Sequence, residues 1–241
     1  MKTLPGLFWS LALACAPDAL ALTFDNYNLS DVSGKAIDNA SFTLCGMKGL
    51  YAHGSEGTYE SKSSTPWCNA EALNEFNAAT GQSLTDTQVQ TFTAPNTAGS
   101  HSTITLPLPE APPASYVFYL IVGANGGTLS SLTVTGLSDI SYRYAVAGGT
   151  GFSDVADADA SGTLAISGLF DTAEAALVRL TGTLADGATE IRFASATERN
   201  GFGVISAAGL AAAQPVNLVP EPSTATLSLL ALTLLLRRRR R

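Results

Sequence analysis

Ser115-Tyr116-Val117-Phe118-Tyr119-Leu120-Ile121-Val122 runs straight into Gly123-Ala124-Asn125-Gly126-Gly127. Aromatic and β-branched side chains suit a pleated strand, and a Gly/Asn cluster is a strong turn signal. The same alternation continues toward the C-terminus. Leu129 to Val134, Ile140 to Val146, Gly162 to Ile166, Ala176 to Leu184, Glu190 to Ala194 and Gly203-Val204-Ile205 are short β-prone runs broken by Gly, Asn and Asp. Runs this short and this evenly spaced predict an all-β domain of the β-sandwich or jelly-roll kind. Tyr142, Tyr144 and Val146 alternate with Arg143 and Ala145, which predicts a strand with one wet face. Ala207 to Gln214 reads as a final strand entering a linker.

Toward the N-terminus the pattern is less regular. Phe24 to Leu29 and Ala40 to Leu44 read as strands. Leu73 and Phe76 within Glu71 to Ala79 have helical spacing, with Asn69 as N-cap and Gly81 near the C-terminal end. One short helix inserted in the β domain is expected. Leu106-Pro107-Leu108-Pro109 and Ala111-Pro112-Pro113 read as an extended connector inside a single domain.

Charge is unevenly distributed. Lys2 and Arg237 to Arg241 hold six of the 13 basic residues. Between Leu22 and Val219 stand seven Lys/Arg against 18 Asp/Glu, a net of −11. An acidic body repels phosphate backbones, so nucleic acid is not an expected partner. A Thr-, Ser-, Gly- and Val-rich, Lys-poor body fits an exported β domain.

Both ends carry targeting features. Lys2, the apolar stretch Leu7 to Ala14 and Ala19-Leu20-Ala21 form a signal peptide over 1–21, cut before Leu22. Leu11-Ala12-Leu13-Ala14-Cys15 offers lipidation at Cys15 as the alternative. At the other end, Val219-Pro220-Glu221-Pro222-Ser223 precedes an apolar segment from Thr224 to Leu236 and then Arg237, Arg238, Arg239, Arg240 and Arg241. The prolines keep Glu221 extended, as a processing enzyme needs. The apolar segment is a little short for a transmembrane helix, and snorkelling arginines extend its reach. The arginines resist crossing and act as a topology lock, with the body outside.

This tripartite tail, 219–241, resembles the PEP-CTERM sorting signal of Gram-negative bacteria. The resemblance covers about the last tenth of the chain. It implies recognition by an exosortase, an integral-membrane Cys protease or transpeptidase. Cleavage near Pro220-Glu221-Pro222 and delivery to the cell surface would follow, often linked to exopolysaccharide.

Candidate chemistry in the passenger, 22–218, is sparse. In an exported protein Cys45 and Cys68 are expected to form a disulfide, with two free thiols as the alternative. Asp157-x-Asp159-x-Ser161-Gly162 resembles the start of a calcium loop. Gly168 stands where the bidentate Glu belongs, so a solvated acidic turn is the competing reading. His53 and His101 have no zinc spacing. No spacing selects a catalytic pair among Glu56, Glu60 and Glu71. Trp67, Tyr51 and Tyr59 could stack on sugars or fill a core. The expected function is non-enzymatic and needs no cofactor: a structural or adhesive surface component at extracellular polysaccharide. The alternatives are a carbohydrate-binding module or a secreted hydrolase.

Overall fold

The computed structural model describes residues 22–29, 41–53, 60–61, 67–89, 92–93, 102–124, 131–166, 175–195 and 200–210. The described strands are β1 (Asp25–Asn28), β2 (Ser41–Leu44), β3 (Met47–His53), β4 (Glu60–Ser61), β5 (Phe92–Thr93), β6 (Ser102–Pro107) and β7 (Ser115–Ala124). They continue with β8 (Ser131–Thr135), β9 (Leu137–Val146), β10 (Ala156–Asp157), β11 (Thr163–Ala165), β12 (Ala175–Leu184), β13 (Glu190–Ser195) and β14 (Asn200–Leu210). Among the described residues one α-helix, α1 (Ala70–Thr80), lies between β4 and β5.

The strands form two antiparallel sheets, so the expected all-β class with a short inserted helix holds. The larger has eight strands, ordered β10-β9-β12-β7-β14-β5-β4, with β1 also paired to β14. The smaller has six, ordered β11-β8-β13-β6-β3-β2. The chain changes sheet at each step from β6 to β9. Inward residues of both sheets make one core. From β7 come Tyr116, Phe118, Leu120 and Val122, and opposite them lie Ile104, Leu132 and Phe193. Phe118 and Phe193 meet edge to face at 5.0 Å.

The decisive run 115–122 is buried on both faces. Its other side chains, Tyr119 and Ile121, pack with Leu73 and Phe76 of α1, Trp67 and Leu177 in a second core. Helix, large sheet and small sheet therefore stack as three layers. This corrects the wet face expected beside Tyr142. Ala145 is buried there and Arg143 half-buried, because α1 and Phe152 cover that side of β9.

Three further details depart from expectation. Met47–His53, in a stretch without evident pattern, is a strand, with Met47, Gly49 and Tyr51 inward. Cys45 and Gly46 both have positive φ, 48° and 76°, which builds the tight two-residue turn of the β2–β3 hairpin. Leu106-Pro107 is the end of β6 rather than a connector, and Pro107 is tolerated at that strand end. The two pieces expected near the C-terminus are one strand, β14.

The β14 strand bulges between Phe202 and Ile205 against β7. The Phe202 N–H instead donates to the Tyr51 hydroxyl at 3.3 Å, and that hydroxyl donates to Ser102 Oγ at 3.2 Å. A buried polar link thus ties the two sheets where the ladder is broken. Burial pushes the Tyr51 phenol up to about 12.

The signal peptide and the sorting tail, with Pro220, Glu221, Pro222 and Arg237 to Arg241, lie outside the described residues. Among the described residues no helix is long and apolar enough to cross a membrane.

Candidate functional site

The outer face of the large sheet is organised by Asn69, which is fully buried. Its Oδ1 accepts from Ala72 N at 3.2 Å, capping α1 as expected, and from Gly151 N at 3.0 Å. Its Nδ2 donates to Val146 O at 3.0 Å and to Gly151 O at 3.1 Å. Its carbonyl accepts the Trp67 indole N–H at 2.8 Å. One side chain therefore fastens the start of α1 to the loop after β9. Gly148 N donates to Trp67 O at 2.9 Å and adds a second tie. At the far end of α1, Gly81 closes the helix at φ 72°, also as expected.

Beside the helix a polar row crosses the sheet. Arg143 on β9 stands directly opposite Arg179 on β12, and Arg179 opposite Tyr119 on β7. Glu75 of α1 forms an ion pair with Arg143. The Arg143 guanidinium also lies 4.6 Å from the Phe152 ring centre. Arg179 sits 5.9 Å from the Tyr119 ring centre. Burial raises the Tyr119 phenol above its ordinary range, and the Arg179 charge works against that rise. The next row on the same face places Ser141 opposite Thr181.

The residues of the expected calcium loop are exposed and occupied with a turn. Asp159 Oδ1 accepts from Ser161 N at 2.8 Å, Ser161 Oγ at 2.6 Å and Thr163 N at 2.9 Å. The Ser161 hydroxyl and the Thr163 backbone bond hold the Asp159 carboxyl below its ordinary range. Asp157 Oδ1 accepts the Ser141 hydroxyl at 2.7 Å. These acids and Asp139 line a cleft of about 500 Å³ with Leu137 and Ser138. No group of three or more His, Cys, Asp or Glu that could hold a metal occurs among the described residues. The Asp159 side chain thus caps the tight turn between β10 and β11.

Cys45 and Cys68 are free thiols, not the expected disulfide. Cys45 packs against the core between the sheets, and its Sγ donates to Ala207 O at 3.3 Å. Cys68 is exposed beside Trp67, on the helix side of the large sheet. Burial, with the Asp25 carboxylate adding to it, pushes the Cys45 thiol up to about 11 from an ordinary value of 9.0. A group held protonated by folding contributes stability that is complete below its ordinary range and lost as pH rises through the raised value. Urea midpoints should therefore fall between pH 9 and 11, and Cys45→Ala should flatten the early part of that fall. At pH 8 without reductant, peptide mapping should find Cys68 alkylated well before Cys45. Resistance of both to alkylation would mean they are joined.

Trp67 and Tyr51 are core residues rather than sugar platforms. Glu71 lies in the first turn of α1, and Glu60 lies on β4. His53 ends β3, while Glu56, Tyr59 and His101 lie outside the described residues. The Arg143–Arg179 pair escaped the sequence reading. Its signal was present in retrospect: two of the body's seven basic residues fall in strands that a sandwich can pair. No protein-family model, curated protein or solved structure matches the chain.

Proposed function

We propose that the chain is an exported cell-envelope protein, a structural or adhesive surface component associated with extracellular polysaccharide and without catalytic activity. In this reading 1–21 is a removable signal peptide and 22–218 the passenger. Residues 219–241 act as a PEP-CTERM-like sorting signal with a transmembrane segment. The observation that carries it is the order of three features in the sequence. Pro220-Glu221-Pro222 comes first, the apolar stretch to Leu236 second, and Arg237 to Arg241 last. An acidic two-sheet body with few basic residues supports the reading by its composition and class.

The partner expected at the tail is an exosortase-type processing enzyme. Replacing Pro220 and Pro222 by Ala leaves the anchor but lets helix extend back through Glu221. That variant should accumulate uncleaved in the inner membrane, facing outward. Fractionation with intact mass reads the result. Equal mass in the same fraction as the parent would reduce the tail to a plain anchor.

A further inference from the structure

We propose that the Arg143–Arg179 pair binds an isolated carboxylate on an otherwise neutral glycan. The proposal rests on the surface-polysaccharide reading and gives it a ligand class. The passenger has seven basic and 18 acidic residues, yet two of the seven stand directly opposite each other across β9 and β12. Like charges in that position destabilise a sheet. Glu75 compensates Arg143. No carboxylate among the described residues pairs with Arg179, which lies 5.9 Å from the ring centre of Tyr119.

A half-buried guanidinium fork with no acid of its own among the described residues matches the planar geometry of a carboxylate. The neighbouring hydroxyls of Ser141 and Thr181 give their protons to Asp157 Oδ1 and Ser141 O, and their oxygens keep lone pairs that accept from sugar hydroxyls. Two features limit the charge of the ligand. Two arginines against Glu75 leave one positive charge. Asp157, bonded to Ser141, stands at the edge of the same face. The acidic body also repels a densely charged chain. One carboxylate per several neutral sugars is what this surface accommodates.

Calorimetric titration of the detergent-solubilised full chain tests the site. The probes are a tetrasaccharide carrying one glucuronate, its carboxyl-reduced counterpart, free glucuronate and a short Glu-containing peptide. The glucuronate tetrasaccharide should bind at least ten-fold more tightly than any other probe. Arg179→Gln should lose at least ten-fold, and Arg192→Gln, on the smaller sheet, should change nothing. Glu75→Gln should tighten binding several-fold, because it removes the competing carboxylate. This gain does not depend on the stability of the Arg179 variant.

Arg179-independent binding of the tetrasaccharide, or no gain in Glu75→Gln, would overturn the site. Equal binding of the carboxyl-reduced sugar would overturn it while leaving the polysaccharide reading standing. Equal binding of free glucuronate or of the peptide would overturn the glycan assignment. If no sugar binds while the proline variant is still missorted, the ligand proposal fails and sorting survives.

Discussion

Asn69→Asp should destabilise the protein by about 4 kcal/mol and lower the melting temperature by roughly 10 °C. The substitution is nearly isosteric, so the loss is one of hydrogen-bond polarity. The Asn69 amide nitrogen donates to two carbonyls, Val146 O and Gly151 O. A carboxylate there would point a buried negative charge at both. The helix cap to Ala72 N would survive, since it needs only an acceptor. Hydrogen exchange should show α1 and the loop after β9 loosening before the two sheets do. Lowering the pH to about 4 should shrink the deficit, because a protonated carboxyl regains one donor. A change under about 1 kcal/mol in urea unfolding would mean that helix and loop are held by apolar contacts alone.

Gly136→Ala should cost about as much, for a steric reason. Gly136 is the single residue between β8 in the small sheet and β9 in the large one. It has φ 84°, and a Cβ there would lie 2.0 Å from Glu190 O. The oxygen belongs to β13 backbone and has little freedom to retreat. The Gly136 carbonyl is itself held by Ala185 N at 3.1 Å. Left-handed strain accounts for about 1–2 kcal/mol, and the overlap for the rest, to a total of roughly 4 kcal/mol. Gly187→Ala is the matched control, with φ 72° and nothing within 4 Å of the added carbon. It should show the backbone penalty alone. Equal urea midpoints for the two variants would remove the steric account.

The strands legible in the sequence were those whose own residues carry the signal. The run around Phe118 and the segments that became β8, β9, β12 and β13 combine apolar content with flanking breaks. The α1 boundaries were legible because Asn69 and Gly81 cap through local bonds. What escaped depends on partners distant in sequence. Met47–His53 contains Lys48, Gly49 and His53, and its strand character comes from pairing with β2 and β6. Gly49 is no weakness there, because the Phe42 ring occupies the space a side chain would need. The covered face of β9 was hidden for the same reason. Arg143 reads as a solvent residue until α1, some 70 residues earlier, brings Glu75 to it. The Cys45–Cys68 bridge is not seen in the structure; compartment chemistry says that thiols can oxidise, not that they meet.

The position of β14 bears on when the body can fold. It pairs with β7 on one side and with β1 and β5 on the other, so the last described strand lies in the interior of the sheet. Its absence would leave β7 without one neighbour and β1 without its partner, and Phe202 could not meet Tyr51. Contacts spanning nearly the whole body make for slow, late folding. In the exported reading, the chain stays threadable until Leu210 has passed the membrane. The segment from Ala211 onward, with the sorting motif, then still lies behind. A tail that pauses there would tether the chain at the outer surface during the interval in which its two sheets come together.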